Sequence, residues 1–242
     1  MSKKAPIIVM LVVLLIGSIA IVAKAVSKTP AQAQSQDHSP ALEKIVFIHY
    51  HKGFTKAIGR PLKTSKCYGF LAQGVKIKSP KALTINSDLD ASTIWLAASE
   101  WDSHTSKTLF SNYISDPTAN WDNTTPDGRN EFSFGNYPEP GVIAVTVVWG
   151  YFSGSPQTRE IKEFDVLFNN NFDPWGDAAV DPSVMDLRNI ATHEIGHGLG
   201  LDDVYNSVCN QVTMYGYSDY GETIKRTLEQ PDITGLQKLY GI

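Results

Sequence analysis

The sequence predicts an α/β fold with a mixed sheet, and three observations carry that expectation. Strand-like and helix-like segments interleave from Cys67 onward, which is the order that lays helices on a partly parallel sheet. The composition, 42% hydrophobic and 19% charged, is that of a globular chain, neither disordered nor built mainly of membrane spans. The 242 residues suffice for one domain of ordinary size plus a leader, and no internal repeat divides them.

The leader comes first. Lys3 and Lys4 precede an uncharged run from Ile7 to Ala23, and Ala23-Lys24-Ala25 reads as a small-residue cleavage site. Residues 1–25 are therefore a signal peptide or an uncleaved anchor that attaches the chain to a membrane through residues 7–23. Either way the two lysines favour the inner side, so the rest is expected to be extracytoplasmic, secreted or anchored. Residues 26–40 are small, polar and Pro-containing, as in a flexible linker. Residues 44–54 (KIVFIHYHKGF) alternate like a short strand, and a Gly/Pro/Lys-rich connection follows to Lys66. Residues 26–66 thus read as a linker with a short N-terminal extension or pro-segment. His49 and His51 lie two apart on one strand face. Such a pair without a third ligand is more often solvent-facing than metal-bound.

The domain spans residues 67–242. Residues 82–86 (ALTIN) read as a strand. Residues 91–105 read as a helix, with Ile94, Trp95, Ala98 and Trp101 at helical spacing. After an acid- and Asn-rich loop, strands are expected at 130–135, 141–150 and 160–169. A helix opens near Asp186, a suitable N-cap. The last helix begins at Gln230, with Pro231 suited to its first turn.

Without residues 1–25 the chain carries 18 basic against 25 acidic side chains, a balance of −7. So acidic a domain is a poor partner for nucleic acid or anionic lipid. Cys67 and Cys209 lie in an oxidising setting, and a disulfide between them is the simplest expectation. Cys67 lacks the flanking residues expected of a thiol that caps a metal.

The chemistry sits in THEIGHGLGLDD, residues 192–203. Positions i and i+4 of a helix share a face, so His193 and His197 can reach one zinc ion with Glu194 beside it. Leu187, Ile190, Ala191 and Ile195 fall on another face, for packing against the sheet. Gly200 stands where the helix should end, and glycine accepts the left-handed backbone that turns the chain back toward the metal. Asp202 and Asp203 then return close to the ion. Two imidazoles and one carboxylate are a common catalytic zinc set that leaves one position open. The carboxylate lowers the charge of the centre, and Glu194 is placed to accept a proton from the attacking water. In VTMYGY, Met214 occupies a tight turn where its thioether could form an apolar floor.

HEIGHGLGLDD followed by TMYG resembles the metzincin zinc peptidases, whose pattern is His-Glu-x-x-His-x-x-Gly-x-x-His/Asp with a Met-turn. Within that class the chain is most similar to the matrixins, the matrix-metalloproteinase-like family with bacterial and archaeal members. FDVLFNNNFDPWG, PDITGLQKLYG and the placing of Tyr215 directly after Met214 support that subgroup. The resemblance implies a single catalytic domain on a twisted mixed sheet of about four to five strands, with an active-site helix, a Met-turn and a C-terminal helix. It implies a monomeric zinc endopeptidase acting on proteins or peptides, with Glu194 as general base. It puts Asp203, rather than Asp202, in the third-ligand position. It makes residues 143–149 the edge strand that holds substrate, with Ile143, Val145 and Val147 beside the peptide and Tyr215 and Tyr217 in the pocket wall.

The departures are informative too. The usual third histidine is an aspartate, and residues 110–180 hold no histidine, which argues against the family's second zinc. Residues 116–131 and 169–177 offer hard oxygen ligands for calcium, although Asx-rich turns have the same composition. Asn123-Thr124-Thr125 is a glycosylation sequon. Two other functions fit the same motif: a non-catalytic domain that keeps zinc for structure, and a zinc amidase acting on cell-wall material.

Overall fold

A computed structural model describes residues 42–54 and 66–242. The leader and the linker, residues 1–41, lie outside the described residues. Among the described residues no helix is long and apolar enough to cross a membrane.

In chain order the elements are β1 (Glu43–His51), β2 (Gly69–Phe70), β3 (Lys81–Ile85), α1 (Ala91–Asp102), β4 (Phe110–Ser115), β5 (Asn130–Gly135), β6 (Val142–Tyr151), β7 (Glu160–Asn169), β8 (Trp175–Gly176), β9 (Met185–Asp186), α2 (Leu187–Gly198), β10 (Leu201–Asp202), β11 (Tyr217–Ser218) and α3 (Gln230–Tyr240). The main sheet runs β11-β1-β6-β7-β5-β3-β4. β7, β5, β3 and β4 pair in parallel, whereas β6 is antiparallel to both β7 and β1. Two short ladders, β2 with β10 and β8 with β9, brace the loops around α2.

The sheet is wider than the four to five strands expected, because β4, β1 and the two-residue β11 all add to it. β4 is an edge strand with only Phe110 buried, so its sequence FSNYIS lacks the alternation that reveals a strand. β1, the strand expected in the segment before residue 67, joins this sheet in register with β6 from Glu43 opposite Gly150 to Tyr50 opposite Val142.

The central strands β6 and β7 are buried on both faces, which is why they read as near-continuous apolar runs. α1 and α2 pack on the sheet and on each other. Trp101, fully buried, donates its indole N–H to the Thr192 carbonyl at 2.8 Å. The helix starts follow local chemistry: Asp90 caps α1 through the Ser92 amide, and Asp186 caps α2 through the Asn189 amide at 2.7 Å. α1 ends at Asp102, three residues before the expected end. α3 opens on a reciprocal cap between Glu229 and Asp232, with proline in its first turn.

Candidate metal centre

α2 is buried on almost every side, so its polar residues must be satisfied internally. His193 and His197 are one turn apart with ring centroids 4.9 Å from each other. The Nδ1 of His193 lies 2.7 Å from the Thr213 carbonyl, and that of His197 lies 3.0 Å from the Leu201 carbonyl. A carbonyl only accepts, so both Nδ1 atoms carry the proton, and both Nε2 atoms present lone pairs.

Those lone pairs meet Asp203. Its Oδ1 lies 3.2 Å from His193 Nε2 and 3.5 Å from His197 Nε2. His193 Nε2 and Asp203 Oδ1 are nonetheless buried without a hydrogen-bond partner, because the neutral ring nitrogen and the carboxylate are both acceptors. Three donor atoms converging on one point, two of them orphaned, fit a cation between them. The charges agree. Without a cation a proton takes its place on His197: burial opposes the charge, but Asp203 overrides it and pushes the imidazole up to about 9. Asp203, in turn, is held well below the usual carboxylate range by the imidazoles, against its own burial. The pocket calls for positive charge, which a metal dication would supply. The other Asp203 oxygen accepts the Tyr205 hydroxyl at 2.8 Å, which fixes the carboxylate's orientation. Asp202 is turned away; its side chain accepts the Asp203 amide at 2.9 Å.

Two glycines and a methionine shape the turn. Gly200 has φ +98°, and a Cβ there would lie 2.1 Å from the Val75 carbonyl oxygen. Met214 is fully buried beneath the motif, and a Cβ on Gly196 would come 2.3 Å from its sulfur. The glycine between the two histidines is therefore what admits the thioether. Asp232 holds this turn from α3, accepting the amides of Thr213 at 2.8 Å and Met214 at 3.2 Å. Cys67 and Cys209 form a disulfide that ties the start of the domain to the loop after Asp203.

Glu194 has partners that sequence did not suggest. Its Oε1 lies 2.9 Å from His49 Nδ1, and its Oε2 accepts the Thr146 hydroxyl at 2.5 Å. His49 is thus not solvent-facing, and the expectation from its spacing to His51 is corrected: it is 1% exposed. Burial, with the neighbouring His193, pushes His49 down to about 3, so the ring is neutral and donates Nδ1–H to an ionised Glu194. Burial works against that ionisation, yet the His49 hydrogen bond and the surrounding imidazoles hold the Glu194 carboxyl below its ordinary value. The other His49 nitrogen accepts from Ser218 Oγ at 3.1 Å, and Lys225 Nζ donates to that hydroxyl. His51 is half-buried and pairs with Asp219.

Of the expected substrate strand, β6 is paired with β1 on its outer edge in this structure, and Ile143, Val145 and Val147 are 0% exposed. Tyr215 and Tyr217 are half-buried, and Tyr217 pairs with Tyr50 of β1. Residues 116–131 contribute to a second acidic group, in which oxygens of Asp122, Asp127 and Glu163 lie within 4.8 Å of one another. Beside it, Asp165 is fully buried with Oδ2 unpartnered; burial and then Glu163 push it up to about 9. In residues 169–177, Asn169 bonds the Val142 and Tyr137 carbonyls and Asp177 pairs with Arg226.

Two helix-borne imidazoles and a carboxylate from the following turn, above a buried methionine and under a mixed sheet, form a candidate metal centre. The chain belongs to the matrixin family, whose model matches residues 64–241. It is 31% identical over 116 residues to human matrix metalloproteinase-25, covering 48% of this chain and 19% of that protein. It is 45% identical over 69 residues to metalloendoproteinase 1 of Glycine max, covering 28% of this chain and 21% of that one. The matched stretches span about a fifth of each relative's length.

Proposed function

We propose that this domain is an extracytoplasmic zinc endopeptidase that hydrolyses peptide bonds in proteins. The observation that carries the reading is the convergence of His193 Nε2, His197 Nε2 and Asp203 Oδ1 beside Glu194, with two of the three atoms buried and unpartnered. These residues would hold zinc, which when bound polarises the scissile carbonyl and activates water at neutral pH.

The protein's own groups do the rest. Thr213 and Leu201 carbonyls fix the tautomer of the two imidazoles, and Tyr205 orients Asp203. Glu194, ionised by its surroundings, takes the proton of the attacking water and returns it to the leaving amine nitrogen. Asp232 and Met214 keep the floor beneath the histidines rigid. The extracytoplasmic placement is supported by the Cys67–Cys209 disulfide and by the basic-then-apolar start of the chain. Calcium at Asp122, Asp127 and Glu163 is supported by the grouping of their oxygens.

The test is zinc content and casein cleavage in wild type and Glu194→Ala. We expect one zinc per chain, removed together with activity by chelation, and no cleavage by the variant. Should both proteins keep zinc and degrade casein equally poorly, the endopeptidase reading is wrong.

A further inference from the structure

A cavity of about 450 Å³ opens between the segment that leads into β3, the loop from α1 to β4 and the end of α3, and no residue of the metal centre lines it. Its volume is that of a small-ligand site. Ile77, Leu109 and Tyr240, all buried, form its floor. The floor is fixed from behind: the Tyr240 hydroxyl donates to the Leu199 carbonyl at 2.7 Å and accepts the Ile77 amide at 3.1 Å. Lys76, Lys78 and Lys107 stand in the wall, and no acidic side chain does.

That wall differs from the chain around it. The sequence carries 25 acidic side chains against 21 basic ones, yet none of these three lysines is ion-paired among the described residues. Lys76 Nζ donates to the Leu239 carbonyl and lies 5.5 Å from the centre of the Tyr240 ring; Lys78 Nζ donates to the Gln157 carbonyl. A carbonyl takes one of an ammonium's three protons and leaves its charge uncompensated. Lys107 is exposed, and its ammonium has no partner among the described residues. Acceptors on the neighbouring segments are turned to other groups. Asp102 accepts the Leu109 amide at 2.6 Å, Glu160 pairs with Lys162, and an Ile242 oxygen accepts the Ser106 hydroxyl at 2.6 Å. Like charges gathered around an apolar floor repel one another, and an anion placed among them removes that cost.

We infer that this cavity binds an acidic segment of another protein, its carboxylates at Lys76, Lys78 and Lys107 and one apolar side chain on the floor of Ile77, Leu109 and Tyr240. The floor selects the occupant. A sulfated or phosphorylated polymer would meet the lysines but leave the apolar surface uncovered, whereas a peptide brings both kinds of group. The balance of −7 outside the leader works against a broad anionic surface such as a bilayer. A local anion is governed instead by the charges within about 8 Å of it at physiological salt. The assignment goes beyond the proposed hydrolysis and does not depend on it.

The experiment reads the fluorescence anisotropy of dye-labelled peptides on the full chain loaded with zinc. The probes are EEFEE, its neutral counterpart QQFQQ, and EEGEE, which lacks the ring. EEFEE should bind about tenfold more tightly than either control and should weaken as salt is raised. The Lys78→Glu/Lys107→Glu double variant reverses two exposed charges and should keep wild-type zinc content and Tm. It should bind EEFEE more weakly by about tenfold or more, and QQFQQ as wild type does. Chelation and Glu194→Ala should leave EEFEE binding unchanged.

The proposal is overturned if wild type binds EEFEE no better than QQFQQ, or if the folded double variant binds EEFEE as wild type does. Should the double variant fail to fold, Lys107→Gln, at an exposed side chain without a partner, carries the same expectation in smaller measure, and no effect there overturns the proposal too. If EEGEE binds as well as EEFEE and dextran sulfate displaces both, the cavity is a patch for polyanions and the assignment to a protein segment fails. Binding lost on chelation would put the peptide at the metal centre, which also overturns it. EEFEE binding without casein cleavage leaves this site standing and removes the endopeptidase reading, and cleavage without EEFEE binding does the reverse.

Discussion

Replacing Gly200 by alanine tests how the chain is brought back to the metal centre. Gly200 has φ +98°, a conformation that costs an L-residue about 1–2 kcal/mol. Its Cβ would stand 2.1 Å from the Val75 carbonyl oxygen and 3.2 Å from its carbon, both backbone atoms that cannot rotate away. Overpacking of that kind costs about 1–3 kcal/mol more. The total, about 2–5 kcal/mol, should lower Tm by roughly 5–15 °C in a chain of this size. The same displacement moves Leu71, whose amide is bonded to the Gly200 carbonyl at 2.9 Å, and Asp203 three residues on. Zinc affinity should fall together with stability. Gly128→Ala is the control, because Gly128 has φ +90° with nothing within 4 Å of the added Cβ, so only the backbone contribution of about 1–2 kcal/mol applies. Thermal unfolding and zinc stoichiometry are measured on both variants. Equal losses in the two would refute the clash, and Gly200→Ala with wild-type Tm and zinc content would refute the whole account of the turn.

Other outcomes follow from the same geometry. Asp203→Ala should lose zinc on dialysis whereas Asp202→Ala keeps it, as metal analysis will show; the opposite result would mean that the third ligand is one residue earlier. Serine at both Cys67 and Cys209 opens a loop of 142 residues' separation, for which chain entropy gives about 5 kcal/mol, read as a lower denaturation midpoint with a steeper slope, because the unlinked unfolded chain exposes more surface. Asp165, pushed up to about 9 by burial and Glu163, binds its proton more tightly folded than unfolded. Its stabilising contribution is therefore complete at low pH, below about 4, and is lost as pH rises toward about 9. With chelator present, Asp165→Asn should flatten that decline in urea titrations run across the range; an unchanged pH profile would show that Asp165 ionises without cost. Added calcium should raise the wild-type Tm and leave Glu163→Gln unmoved, and a shift of equal size in both would place the ion elsewhere.

Much of this protein was legible in its sequence, for a local reason. The motif helix, its Asp186 cap, the Gly200 turn, the strands at β5, β6 and β7 and the C-terminal helix are all written in spacings of a few residues. Helical period, strand burial and capping chemistry act at that range. His193, Glu194 and His197 need only the helix to be placed, and Asp203 needs only the turn. What sequence could not reveal depends on partners far apart in the chain. His49 meets Glu194 across 145 residues, Thr146 meets it across 48, and Asp232 holds Met214 from 18 residues away. β4 was illegible because an edge strand buries too little to alternate. β1 could be read as a strand but not placed, since a period of two marks a strand without naming its neighbour. Sequence determined which residues can hold the metal, because those are set by helix and turn geometry. Only the tertiary structure decided what lies over them, because strand pairing is a long-range choice, made by edges and pockets that exist only once the chain has folded.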